Sequence, residues 1–421
     1  ESDIRNTQAR ARDYLPTLTM KKIHHRIVVL STLLLGFAPI ASVSAFSLDQ
    51  GNCLDVTSLS SSKSPSNTSE RTSRIAIVGA GAVGSYYGGR IWESVRLSSD
   101  TNVMFHLRNE HYEHCVENGI SVTSIDGDFV IPSDELLAYP TTEDMANSVK
   151  KDGSDFPAFD WVIVALKSSS LDAVPQLIKP LTSSQTRVLV IMNGLIEDDL
   201  IEMLKNEQGL ECKAVYGGMA LICSNRLSPG VIDHSYAGKL VVGVAYSADA
   251  DDDGYCKWVE SDKKAIADLF EPVTPVPFEF EDNLLRGRWW KNCWNLPFNG
   301  ISVAMGGITT DRIVGDPSLR KLAYKVMDET IATANADLAK HGFPEEDFLP
   351  ADTSEKMMVF TDTMGEYKPS TMLDLHARKP MEVKYLFKTA LNRATNLGVP
   401  VPHLETLVSQ IEAFQRHYKL Y

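Results

Sequence analysis

From Arg74 onward, short apolar runs alternate with longer segments whose apolar positions recur at helical spacing. Arg74-Ile75-Ala76-Ile77-Val78 has no polar interruption after its first residue, as a strand covered on both faces requires. Val103–Leu107, Trp161–Leu166, Val188–Met192, Val215–Leu221 and Leu240–Val244 are further runs of this kind, and helical segments fit between several of them. Buried strands separated by helices predict an α/β fold with a Rossmann-type, doubly wound parallel sheet. Strand signals stop near Glu281. Beyond it, Asp316-Pro317 reads as an N-cap followed by a first-turn proline. Leu319, Leu322, Ala323, Val326, Met327, Ile331, Ala334 and Leu338 then repeat at helical spacing until Gly342 and Pro344. A second long helix is expected over Met381–Leu397. The expected organisation is a sheet domain over 74–281 and an all-α domain over 282–421.

The first 73 residues follow another pattern. Met20-Lys21-Lys22 opens a basic stretch, Ile27 to Ile40 is almost wholly apolar, and Val43-Ser44-Ala45 is a small-x-small exit. That order of basic, apolar and small residues is expected of a secretory signal peptide. The apolar run is short for a membrane span and Pro39 interrupts it. After Ala45-Phe46 comes a hydroxyl-rich stretch with six Ser between Ser58 and Ser66. A signal with Phe behind it and then such a stretch resembles the two-part presequences of algae with complex plastids. Delivery to a plastid is the expectation, with plain secretion as the alternative, and no stable membrane association is expected after processing.

Composition narrows the partners. The 421 residues are 43% hydrophobic and 23% charged, in the range of ordinary globular proteins. The net charge is −14, and the first 73 residues hold 8 basic and 6 acidic side chains, so the remainder stands at −16. Such a field repels nucleic acid and anionic membranes. The six cysteines are scattered, with no C-x-x-C pair, which favours reduced thiols over a zinc site or a disulfide framework. The acidic run from Ala248 to Gly254 reads as a solvated surface turn.

Chemistry enters directly after the first strand. Gly79-Ala80-Gly81-Ala82-Val83-Gly84 fits G-x-G-x-x-G between a strand and a helix. In that setting the glycines permit a tight turn, a close approach of backbone to pyrophosphate, and close helix packing, with the helix N-terminus facing the anion. A glycine turn with no ligand is the alternative. At the end of the second run, where an NAD enzyme carries an acid for the ribose hydroxyls, the chain reads Phe105-His106-Leu107-Arg108-Asn109. Arg108 suits a 2′-phosphate and so NADP(H); an ordinary surface arginine would read the same. Lys167 and Asn193-Gly194 end two later runs, where the ligand crevice of an open α/β sheet forms. Either could instead be surface or turn. Lys291, Asn295 and Asn299 stand at i, i+4 and i+8, one stripe of a helix otherwise rich in Trp and Phe. Buried polar groups need partners, so a lined cleft is favoured over a core there. Pro297 should kink or break that helix. Ser370 and Glu382, twelve residues apart, are by themselves only a hydroxyl and a carboxylate near a helix start.

Together these residues resemble the ketopantoate reductases (2-dehydropantoate 2-reductases). The stretch Asp374-Leu375-His376-Ala377-Arg378-Lys379-Pro380-Met381-Glu382-Val383 is similar to that family's Asp-Leu-x-Ala-Gly-Arg-Pro-x-Glu-Val signature, with Arg378-Lys379 where Gly-Arg is usual. The resemblance spans residues 74–421. It implies reduction of a small anionic 2-keto acid, 2-dehydropantoate, by NADPH, in a monomer or homodimer. The residue matching Lys291 is then the general acid. Those matching Asn193, Asn295, Asn299 and Ser370 hold substrate or cofactor, the one matching Glu382 assists substrate binding and catalysis, and Lys167 matches a lysine near the nicotinamide end. A related NADP-dependent 2-keto or 3-hydroxy acid oxidoreductase would share this pattern. So would a silent NADPH-binding sensor, although retention of both Lys291 and Glu382 argues against one.

Overall fold

A computed structural model describes residues 72–98, 100–150, 159–209, 211–250 and 256–420. The expected signal peptide, the hydroxyl-rich stretch and Cys53 lie outside the described residues.

The first half is a sheet wrapped with helices. Its elements run β1 (Ser73–Val78), α1 (Ala82–Val95), β2 (Thr101–His106), α2 (Asn109–Asn118), β3 (Ile120–Ser124), β4 (Phe129–Ile131), β5 (Leu137–Tyr139), α3 (Thr142–Lys150), β6 (Trp161–Val164), α4 (Val174–Ile178), β7 (Arg187–Ile191), α5 (Glu197–Gln208), β8 (Ala214–Ser228), β9 (Val231–Ser247), α6 (Glu260–Phe270) and β10 (Phe278–Glu281). The strand order is β4-β3-β9-β8-β7-β6-β1-β2-β5, with β10 beside β9. From β8 to β5 every pairing is parallel. The buried apolar runs of β1, β6 and β7 form its middle, as strands covered on both faces must. Registers align Val78 with Val164 and Val164 with Val190. Gly79, Lys167 and Asn193 therefore leave the sheet at one edge, the carboxyl ends of adjacent strands.

The sheet curls so that α1 touches β1, β2 and β6 and also β3, β4, β8 and β9. β8 and β9 form a long antiparallel hairpin with several register shifts. Val215–Leu221 and Leu240–Val244, read as separate strands, are only its sheet-ward parts.

The second half is helical: α7 (Leu284–Ala304), α8 (Thr310–Gly315), α9 (Pro317–Lys340), α10 (Thr353–Asp362), α11 (Ser370–His376), α12 (Thr389–Leu397) and α13 (Pro402–Tyr418). Asp316 caps α9 by accepting from the amides of Ser318 and Leu319, with Pro317 in the first turn. The centre is α7, whose Trp289, Cys293, Leu296, Phe298, Ile301 and Val303 are buried against α9 and α13. No described helix is long and apolar enough to cross a membrane.

Two expectations are corrected. Pro297 does not break its helix, because α7 runs as one element through it. A proline removes one backbone donor, while the flanking turns of α7 are held by burial on nearly every side. The helix expected over Met381–Leu397 does not start at Met381. Met381 and Glu382 lie outside helix, Val383–Lys388 forms a π-helical turn, and α12 follows. A π turn adds a residue to the helical path and re-aims what precedes it.

Candidate active site

The glycine turn has the shape that its letters call for. Gly79 has φ +91, and a Cβ there would lie 2.4 Å from the Leu166 side chain. A Cβ on Gly84 would lie 2.4 Å from the Gly79 carbonyl oxygen, so only glycine lets α1 approach β1 this closely. Beside Gly81 a Cβ would meet nothing within 4 Å. Open space at the N-terminus of a 14-residue helix, next to first-turn amides without intrahelical partners, fits a dinucleotide pyrophosphate. Ala80 is buried behind the turn, and Ala82 and Val83 are half-buried in the first turn of α1. Arg108 is exposed at the end of β2, its charge close enough to help burial lower the pKa of His106.

Across the sheet edge, α7 presents its polar stripe. The Lys291 amine donates to Asn193 Oδ1 at 3.0 Å and to the Ala220 carbonyl of β8 at 2.8 Å. Burial brings the Lys291 pKa down to about 7; the Arg288 guanidinium pushes the same way and the Glu382 carboxylate opposes it. The other end of the Asn193 amide, Nδ2, donates to Glu382 Oε2 at 3.1 Å. Glu382 Oε1 in turn accepts from the Ser168 amide at 2.8 Å and from the Ser168 hydroxyl at 2.9 Å. Lys291, Asn193, Glu382 and Ser168 thus form one chain of hydrogen bonds across the boundary between sheet and helices.

Gly194 permits that meeting. It has φ +90, and a Cβ there would lie 2.4 Å from the Tyr385 carbonyl oxygen, which accepts from the Leu195 amide at 3.2 Å. The π turn brings that carbonyl to the Asn193-Gly194 turn, and Glu382 arrives with it.

The remaining expected residues divide. Asn295 and Asn299 are buried on the Lys291 stripe. Asn299 Nδ2 donates to Asn295 Oδ1 at 3.3 Å, and Asn299 Oδ1 accepts from the Thr371 amide at 3.1 Å. Asn295 Nδ2 and Thr371 Oγ1 are buried with no partner among the described residues, two polar atoms that await one. Lys167 pairs with Asp374, whose pKa burial raises against the pull of that lysine. Ser370 opens α11 but is exposed, with no hydrogen bond to any described residue, so it is not brought into the network.

Comparison with known proteins gives the family. Two family models match the chain, "Ketopantoate reductase PanE/ApbA" over residues 75–246 and "Ketopantoate reductase PanE/ApbA C terminal" over 283–415. The chain belongs to the ketopantoate reductase family. It is accordingly an oxidoreductase. A 2-dehydropantoate 2-reductase of Nostoc sp. (strain PCC 7120) is 30% identical over 341 residues, covering 80% of this chain and 94% of that protein. The crystal structure of a 2-dehydropantoate 2-reductase from Geobacter metallireducens GS-15 superposes with a TM-score of 0.67 at 33% identity, over 81% of this chain and 99% of its own. A D-mandelate dehydrogenase with bound NADH and anilino(oxo)acetate shares the fold, with a TM-score of 0.65 at 19% identity, over 83% of this chain and all of its own.

Within this ketopantoate reductase fold, Arg378 explains its own oddity. It stands where the signature has glycine and adopts φ +53, a left-handed conformation that glycine takes without strain. Its guanidinium lies 3.7 Å from the centroid of the Tyr418 ring, a cation–π contact that offsets part of that strain. Sequence reasoning missed two members of the network and one residue beside it. Ser168 follows Lys167 at a strand end and could have been weighed with it. The Ala220 carbonyl has no side-chain signature at all. Asp374 lay inside the quoted signature, but its pairing with Lys167 depends on the fold.

Proposed function

We propose that this chain reduces 2-dehydropantoate to pantoate with NADPH, and that Lys291 supplies the proton. The observation that carries the reading is the Lys291 amine, brought to a near-neutral pKa and aimed by Asn193 and Ala220 at the sheet edge where the glycine turn also opens. Family membership and the names of the relatives support the substrate.

The nicotinamide, when bound, supplies a hydride to the keto carbon. The residues of the chain do the rest. Negative charge develops on the keto oxygen, and a donor placed there lowers the barrier. Lys291 is that donor, since an amine with a pKa near the working pH gives up its proton readily. Asn295 Nδ2, buried and unpartnered, can donate to substrate oxygen without adding charge. Glu382 holds Asn193 so that its oxygen, not its nitrogen, meets the amine.

The test is the purified chain with NADPH or NADH and a panel of 2-keto acids, followed by nicotinamide absorbance. 2-Dehydropantoate should give the highest kcat/KM; a larger value for an aromatic 2-keto acid would overturn the substrate. Arg108→Asp should weaken NADPH far more than NADH, because a lost fork to a 2′-phosphate costs only the phosphorylated cofactor. Equal weakening would show Arg108 to be a surface arginine. The pH profile has a definite sign. The protonated amine is the acid, so kcat/KM should fall above a midpoint near 7. The fall in kcat should come at higher pH, since a bound anionic substrate beside the amine favours its charged form. A profile flat through that range would remove Lys291 from the proton transfer.

The leader is proposed to be cleaved after Ala45 or later, on the way to a plastid. N-terminal sequencing of protein from its native cell tests this, and an intact chain from Met20 would refute it.

A further inference from the structure

Arg288 is almost wholly buried one helical turn before Lys291 on α7, and no step above uses it. Its guanidinium binds three groups of the sheet half. Nη1 donates to the Met192 carbonyl at 2.5 Å and to the Gly218 carbonyl at 3.3 Å, while Nε and Nη2 donate to Glu197 Oε1 at 2.9 and 2.5 Å. The position of these carbonyls is the informative part. The last register pair of β7 and β8 is Ile191 with Gly218. Met192 is the residue before Asn193, and Gly218 lies two residues before Ala220. Arg288 therefore grips both strands where their ladder ends, immediately before the two groups that accept from the Lys291 amine.

We propose that Arg288 is a positioning residue of the reduction, fixing Asn193 relative to Ala220, and through them the Lys291 amine, at the sheet edge. Past the Ile191–Gly218 pair β7 has ended and the edge of β8 that faced it has no ladder partner, while β9 still holds β8 from the other side, with Ala220 paired to Leu240. Ala220 is thus fixed by the sheet, and without the clamp the Asn193 turn would be free to shift relative to it, parting the two acceptors of the Lys291 amine. Arginine suits the task because its planar fork holds several acceptors in fixed directions, and Glu197 compensates its charge inside the fold. The inference rests on the reductase reading given above.

Three variants test it: Arg288→Met, Arg288→Lys, and the pair Arg288→Met with Glu197→Gln, which leaves no half-buried carboxylate without its partner. Misplacing a catalytic group by about 1 Å costs on the order of 100-fold, so kcat should fall by at least about tenfold in Arg288→Met and in the pair. NADPH affinity, read by fluorescence, should stay within about twofold, because the glycine turn is untouched, and Arg288→Lys should recover part of kcat by reaching one carbonyl and Glu197. Crystal structures of the pair variant should show the Lys291 amine parted from Asn193 Oδ1 or from Ala220 O. If kcat stays within about threefold while Tm drops, Arg288 is only structural and the proposal fails. Both Lys291 hydrogen bonds intact in the variant crystal would overturn it equally. If the wild type reduces no keto acid, the reductase reading falls by itself, and the position of the Lys291 amine in the variant crystal still decides the clamp.

Discussion

Lys291→Ala should lower kcat by about 10²–10⁴-fold, the usual worth of a general acid, or roughly 3–5.5 kcal/mol in the barrier. The substitution removes the one cation hydrogen-bonded to both Asn193 and Ala220. It also removes a half-buried amine that the fold holds at a cost. An ordinary lysine pKa lies far above 7, so at neutral pH the folded state carries the work of deprotonating or desolvating this group. Its loss should therefore leave Tm unchanged or slightly raised. The sign follows from linkage: the lowered pKa means that stability is complete above the unfolded value of 10.5 and is lost as pH falls toward about 7. NADPH affinity should change little. Steady-state kinetics and a melting curve decide between roles. A lysine that serves only structure would lower Tm on removal and leave kcat within about threefold.

Glu382→Ala should lower both kcat and stability, and Glu382→Gln should separate the two. Alanine deprives the Ser168 amide, the Ser168 hydroxyl and Asn193 Nδ2 of their acceptor at once. A buried donor left alone costs about 1–3 kcal/mol, so a clear fall in Tm is expected. Glutamine keeps an oxygen for Ser168 but turns an amide toward Asn193 Nδ2, donor against donor. The Asn193 amide must then flip, which presents Nδ2, not Oδ1, to the Lys291 amine. The carboxylate thus sets the polarity of the whole chain of bonds. Glu382→Gln should therefore fold nearly as well as the wild type and still lose about tenfold or more in kcat, as the loss of an oriented partner does. The Lys291→Ala, Glu382→Gln double variant should lose less than the sum, because both changes act on one network through Asn193. Full additivity would show that the two residues work separately.

What could be read beforehand was whatever one segment specifies by itself. β1 and the glycine turn were legible because a buried strand is uniformly apolar and the turn demands glycine at Gly79 and Gly84. The polar stripe of α7 was legible from helical spacing alone. β3, β4 and β5 were not, since each has three to five residues and too little alternation to stand out from loop. The π turn after Glu382 was read as plain α-helix, because what re-aims it is the Leu195 amide, distant in sequence. Of the kink or break expected at Pro297, the break is absent: the local penalty is certain, but packing against α9 and α13 holds α7 through it. Arg288 carries no signal in its own segment, and only its three partners, all far away along the chain, make it distinctive.

Lys291 and Glu382 both belong to the helical half, yet every hydrogen bond by which the network holds them ends on the sheet half, at Asn193, Ala220 and Ser168. On the mechanism proposed above, neither half carries the proton donor in working order by itself. Turnover is thus a gauge of how the two halves are seated. A perturbation too mild to melt either core, but sufficient to unseat one from the other, should silence the enzyme while its secondary structure stays whole. In a denaturant titration, activity should then be lost at a lower dose than helical structure.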